Sequence, residues 1–244
     1  MSHPLRREVI WSFGGPLTPA VKYLIISTVG VFLLQLFWGE TLARWLALLP
    51  PLVVRLQVWR LVTYLFLHGD PLHILFNMLF LFMFGCEMER VWGSRSFLRF
   101  YLACGIGAGL FTLLPIPAFY NAAHIGASGA IYGVLMAYGM YFPYRTILFM
   151  LMFPIQVRYF MIITGLMVVY ASVGAASSGV SHIAHLGGLV VGYLYLKLGL
   201  GRVQVRFGLR DAYRRWRLKR LRKKFEQYYQ KRSGGGDGPQ YTVH

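Results

Sequence analysis

Six stretches of this sequence are apolar for long enough to sit in a bilayer, and that feature limits what the chain can fold into more than any other. They are Val21–Trp38, Leu72–Cys86, Phe97–Pro117, Ser128–Phe142, Tyr159–Ala176 and His182–Leu200. A helix that crosses the hydrocarbon core needs about 20 mainly apolar residues, and fewer where protein lines the way. Backbone polar groups find no water in that medium, so each stretch must be helical. Composition agrees, at 57% hydrophobic and 14% charged, against about 45–50% and about 25% in soluble domains. The expected fold class is an all-α polytopic membrane protein, a bundle of six transmembrane helices. The fourth stretch is short, so its start is expected below the membrane surface, approached by a loop buried in protein. The run Thr146–Ile155 is apolar but broken by Pro154, Gln156 and Arg158. It reads as a connecting loop dipping into the interface.

The formal net charge is +17, and 13 of the 25 Lys and Arg lie between Arg202 and Arg232. Residues 1–20 therefore read as an N-terminal segment, 21–201 as the membrane domain, and 202–244 as a basic tail with a disordered Gly-rich end. The connections 118–127 and 177–181 carry no Lys or Arg, whereas Arg6, Arg7, Lys22, Arg90, Arg95, Arg99, Arg145, Arg158 and Lys197 fall on the other side. Positive residues favour the cytoplasm, so both termini are expected inside, in the plasma (inner) membrane. The outer connection Gly39–Pro71 holds Trp45, Trp59 and the run Leu46–Val54, and is expected to lie in the interface. In the tail, Leu218, Leu221, Phe225 and Tyr228 recur at helical spacing among basic residues, which suggests a helix resting on anionic lipid. Nucleic-acid binding is the weaker reading of that charge and is not expected. The two cysteines, Cys86 and Cys104, read as buried thiols. The first apolar run lacks a small-x-small cleavage pattern and reads as a retained span.

Polar residues inside spans are costly, which makes each a functional candidate. His73 and Asn77 lie in the second stretch, Ser128 opens the fourth, and His182 and His185 open the sixth. These three stretches run in the same direction, so their first residues gather at one depth. Ser128 stands in Gly126-Ala127-Ser128-Gly129, at a helix start whose free N–H groups can hold an oxyanion. Taken alone it reads more readily as a plain helix cap. His185 shares a helix face with Gly188 and Gly192, and Gly129 and Gly133 give the fourth stretch a matching row of small residues. Close approach along these rows would bring His185 to Ser128, although a lone histidine there could simply bond two helices. His73 and Asn77 are four apart on one face and can both donate to an oxyanion. Tyr132 follows Ser128 by one turn and can stack on His185.

In order, these residues resemble the rhomboid family of intramembrane proteases. The likeness runs from about Trp59 to Gly192. It comprises Trp59-Arg60, His68, His73-x-x-x-Asn77, Glu89 with Gly93-Ser94, Gly126-Ala127-Ser128-Gly129 with Tyr132, and Ala184-His185-x-x-Gly188-x-x-x-Gly192. The resemblance implies a rhomboid-like six-helix bundle around a water-filled cavity, with a Ser–His dyad of Ser128 and His185. It also implies His73, Asn77, Gly126 and Tyr132 as oxyanion or supporting residues, and membrane proteins as substrates. His182 departs from the pattern as a second histidine one turn before His185, and the basic tail lies outside the family core. No cofactor and no metal are expected. A metalloprotease using His68, His73, His182 and His185 would lack a His-Glu-x-x-His motif and an acidic ligand. The other rival is an inactive rhomboid-like binding or quality-control protein, and the presence of both Ser128 and His185 counts against it.

Overall fold

A computed structural model describes residues 15–114, 120–149, 153–174 and 182–199. It is mostly helical. Helix α1 spans Pro19–Leu46 and is kinked at Trp38. Short helices α2 (Pro50–Val54) and α3 (Arg60–Thr63) follow, then a 3₁₀ turn, Tyr64–Phe66. Next comes a continuous rod of α4 (Pro71–Phe80), a π-helical turn (Leu81–Gly85) and α5 (Cys86–Trp92). Helix α6 is Ser94–Phe111 and α7 is Ser128–Tyr141. Strands β1 (Thr146–Phe149) and β2 (Phe153–Gln156) form an antiparallel hairpin. Helices α8 (Val157–Gly174) and α9 (His182–Lys197) complete the described chain.

Helices stand at all six expected places, with three differences. Two rods among the described residues, Pro19–Leu46 and Pro71–Trp92, are long and apolar enough to cross a membrane by length and composition alone. The first stretch is helical up to Trp38, where the backbone leaves helical geometry at φ −129° and ψ 32°, and a second helical run then continues α1 to Leu46. Thr146–Phe149 and Phe153–Gln156 are paired strands and not a loop: their backbone groups pair with each other, which an apolar segment needs. The tail 202–244 lies outside the described residues.

Buried charges hold α1 at both ends. Glu89 is 2% exposed. Its carboxylate accepts from Ala20 N at 2.9 Å, Val21 N at 3.0 Å, Thr18 Oγ1 at 2.5 Å and Ser94 Oγ at 2.6 Å. It therefore caps the amino end of α1, whose own cap residue Thr18 makes no such bond. Arg60, also 2% exposed, serves the other end. It donates to Ala47 O at 2.6 Å and Arg44 O at 2.7 Å, while Thr63 Oγ1 donates to Leu46 O at 2.8 Å. An anion at the positive pole and a cation at the negative pole both suit the helix dipole.

Helix α9 lies at the centre, packed on α6, α7 and α8. Lipid offers no hydrophobic drive to pair helices, so close van der Waals contact must do it, and small residues permit that. A Cβ added at Gly188 would lie 1.9 Å from the Gly129 carbonyl oxygen, and one at Gly192 would lie 2.9 Å from Gly133 Cα. The obstacle in each case is backbone, which cannot rotate aside. Gly188→Ala is expected to cost about 3 kcal/mol, the upper end of ordinary overpacking. Gly30, with nothing within 4 Å of an added Cβ, is the control: Gly30→Ala should be neutral or gain up to about 1 kcal/mol through helix propensity. Unfolding midpoints in one detergent check both. Equal midpoints for the two variants would show that the α7–α9 contact is less tight than described.

Candidate active site

The chain reaches Ser128 through a loop that is fastened on both sides. Leu48 and His124 exchange backbone hydrogen bonds at 3.0 and 2.8 Å, and Gly126 N donates to Tyr64 O at 2.9 Å. Gly126 adopts φ +113°, a conformation that L side chains rarely adopt. Ser128 then begins α7, so the first N–H groups of this helix have no partner within it. Ser128 is half-buried and His185 is 8% exposed. Ser128 Oγ and His185 Nε2 are 2.6 Å apart, a hydrogen bond between residues 57 positions apart in the chain. The Tyr132 ring stacks on His185 with centroids 4.4 Å apart and planes at 25°. Among the described residues no carboxylate is hydrogen-bonded or ion-paired to His185. His182 lies one turn away, edge-on to His185 at 5.9 Å.

The second histidine of the site comes from α4. Asp70 caps this helix by accepting from His73 N at 2.8 Å, and Pro71 sits at its first turn. His73 Nδ1 accepts from Gly69 N at 3.4 Å. A neutral ring that accepts at Nδ1 carries its proton on Nε2. That nitrogen reaches Gly126, where an added Cβ would lie 2.8 Å from it. Asn77 Nδ2 donates to His73 O at 2.9 Å, which leaves its second amide hydrogen for another acceptor. Ser128, His185, Tyr132, His73 and Asn77 line one cavity of about 860 Å³, walled by α4, α7 and α8.

Residues 55–202 match the family model for the rhomboid domain. The chain belongs to the rhomboid family. It is 33% identical over 183 residues to the rhomboid protease GluP of Bacillus subtilis, covering 72% of this chain and 34% of that one. It is 33% identical over 191 residues to the rhomboid protease GlpG of Serratia proteamaculans, covering 77% of this chain and 64% of the relative. To the rhomboid protease AarA of Providencia stuartii it is 30% identical over 151 residues, covering 56% and 54%. The chain thus spans between a third and two thirds of the length of these rhomboid relatives.

The structure brings together every residue that the sequence nominated for this rhomboid site: Ser128, His185, His73, Asn77, Gly126 and Tyr132. Other contributors were not foreseen. Asp70 orients His73 through its backbone, and an Asp-Pro pair before an apolar run is a helix-start signal that could have found it. Gln35, the lone amide in the first apolar stretch, clamps His68 by two 3.1 Å backbone bonds, Nε2 to His68 O and Oε1 from His68 N. His68 in turn stands edge-on to His73 at 4.9 Å. Burial, and then the neighbouring His73, push the His68 imidazole down to about 4, so it is neutral at physiological pH. The apolar walls Phe80, Phe160 and Met167 carry no local signal at all.

The Tyr132 contact with His185 is ring on ring, so the ring and not the hydroxyl should matter. Tyr132→Phe is expected to keep near-normal stability. Tyr132→Ala should lose at least about 0.5–1.5 kcal/mol, the worth of one aromatic pair. Unfolding midpoints in one detergent check the order. A Phe variant as poor as the Ala variant would move the role to the hydroxyl.

Proposed function

We propose that this chain is an intramembrane serine endopeptidase that hydrolyses peptide bonds in or near transmembrane segments of other membrane proteins. The observation that carries the reading is the 2.6 Å contact between Ser128 Oγ and His185 Nε2 on the wall of a cavity among apolar helices. Ser128 attacks the substrate carbonyl while His185 Nε2 takes its proton. The tetrahedral oxyanion is held by the free N–H groups at the start of α7, by His73 Nε2–H and by the unused Asn77 amide hydrogen. His185 then protonates the leaving amine. Water, activated by the same histidine, releases the acyl group from Ser128. The cavity admits the water that hydrolysis needs. It runs from the polar cluster down between α4 and α8, which gives an extended substrate segment a way in from the side.

The membrane domain on this reading is residues 21–201, six spans with both termini cytoplasmic. Helix α7 has 14 residues, about 21 Å at about 1.5 Å per residue. It cannot cross a core of about 30 Å, which leaves Ser128 below the outer surface. The basic tail 202–244 rests on the anionic inner leaflet.

Ser128→Ala and His185→Ala should each lower turnover of a reconstituted substrate by on the order of 10⁴-fold, as loss of a nucleophile or its base does. A fluorophosphonate should label the wild type and not Ser128→Ala. His182→Ala should stay readily measurable, because His182 meets His185 edge-on at 5.9 Å and stands outside the Ser128–His185 hydrogen bond. Activity kept in His185→Ala but lost in His182→Ala would overturn the assignment. The topology has its own check. A reporter fused after His244 should read as cytoplasmic, and an external signal would remove the six-span arrangement without touching the dyad.

A further inference from the structure

The hairpin between α7 and α8 has no part in the chemistry above, yet it is apolar, exposed and joined directly to the cavity wall. Its register pairs Ile147 with Ile155 and Leu148 with Pro154. Cross-strand partners share a face and neighbours along a strand alternate. Ile147, Ile155 and Phe153 therefore make one wholly apolar face, and Thr146 and Gln156 make the base of the other polar. Phe153 is 60% exposed. A hairpin that projected into water would show the reverse, with a polar outer face, since an exposed apolar strand pair invites aggregation.

The base of the hairpin is built for a membrane surface. Arg158 lies over the Tyr144 ring at 5.3 Å and the Tyr159 ring at 4.5 Å, and both tyrosines are exposed. Tyrosine and arginine with an apolar body and a polar tip belong at headgroup level. Arg145 ties the same base to α5 through Glu87 at 2.9 Å, and its backbone oxygen accepts from Val157 N at 2.9 Å. The hairpin thus leaves the bundle where the spans end, and β2 runs straight into the first turn of α8.

We propose that the paired strands Thr146–Phe149 and Phe153–Gln156 are an interfacial lipid anchor, with their Ile147/Ile155/Phe153 face against acyl chains and Arg158, Tyr144 and Tyr159 among the headgroups. It fixes the start of α8, one wall of the cavity. Depth follows from backbone chemistry. The outer edges of a two-stranded sheet carry unpaired N–H and C=O groups, which the hydrocarbon core does not tolerate. Pro154 removes one such donor. Four residues per strand give roughly 13 Å at about 3.3 Å per residue, enough to lie in the interface and too short to cross. The occupant is lipid because the two chain ends that carry the hairpin are themselves the ends of apolar helices.

This proposal rests on the membrane reading, so its test must fail separately from it. A nitroxide at Phe153→Cys in liposomes, with a second site at Ile155→Cys should the first not fold, is compared with one at Leu33→Cys on the exposed face of α1. Both native cysteines are buried and resist labelling. Collisions with oxygen and with a water-soluble nickel chelate are measured. The expected result is that oxygen exceeds nickel at Phe153 and Leu33 alike, with the Phe153 label shallower by doxyl-lipid quenching. Nickel exceeding oxygen at Phe153 alone overturns the anchor and leaves the spans intact. A Phe153 label that neither reagent reaches also overturns it, in favour of protein contact such as a second copy. Nickel exceeding oxygen at both positions defeats the membrane reading itself.

Discussion

A methyl group on Gly188 would lie 1.9 Å from the Gly129 carbonyl oxygen, and the Ser128–His185 contact depends on the closeness that this measures. Neither side chain is long. A serine hydroxyl and an imidazole on different helices reach 2.6 Å only if the helix backbones touch. Gly129 directly follows Ser128 and Gly188 lies one turn after His185, so the contact is made beside the pair itself. Cys104 and Ala108 of α6 close the third side, where added Cβ atoms at Gly133 and Gly129 would meet them at 2.4 and 2.6 Å. The same glycines that give a bilayer-embedded bundle its adhesion thus set the distance between Ser128 Oγ and His185 Nε2, across which the proposed mechanism passes a proton. Stability and chemistry are tied here to one set of residues, and a substitution that loosens the seam acts on both.

The other side of the cavity depends on charge. Glu89 and Arg60 are buried with backbone partners, and each fastens one end of α1. Removing either side chain would strand buried backbone groups at a helix end without a partner, which is costly. Because α1 is held at its ends, Gln35 in its middle is placed to grip His68, and His68 to stand against His73. The route from the helix ends to the His73 side of the cavity is therefore a chain of fixed contacts.

How much of this could be read from sequence varied with the kind of signal. The helices were legible because lipid forces an apolar run to be helical. The polar residues of the site were legible because a histidine, asparagine or serine in such a run needs a reason, and because three runs place them at one depth. Gly188 and Gly192 were legible through spacing from His185. The hairpin was not: Thr146–Ile155 is apolar without alternation, has no Asn-Gly or Asp-Gly turn, and contains a proline. Nothing local separates strand from loop in such a segment, and pairing between its two halves decides the outcome. Glu89 and Arg60 were recognised as motif members but not for their work, since a capping partner 69 or 13 residues away leaves no local trace. The end of the first span at Trp38 was legible, since the backbone leaves helical geometry there at φ −129° and ψ 32°, but the second helical run on to Leu46 was not.

The lining of the cavity bears on what the proposed enzyme can accept. Its upper part carries Asp70, His73, Asn77, Ser128 and His185, while Phe80, Leu135 and Phe160 line the part farther along the helices. A substrate helix in lipid satisfies its own backbone, and its carbonyls are closed to attack until it unwinds. In the lower part an unwound segment would expose peptide groups to aromatic and aliphatic walls, at several kcal/mol for each unsatisfied group. In the upper part the helix-start N–H groups, the imidazole and the amide can take over those bonds. Unwinding is therefore favourable only near Ser128, and only over a few residues. On the proposed function the walls would select for a bond close to the end of an apolar segment, in a stretch whose helix is already weak. Substrate choice would then follow from where a helix can open more than from side-chain recognition at the serine.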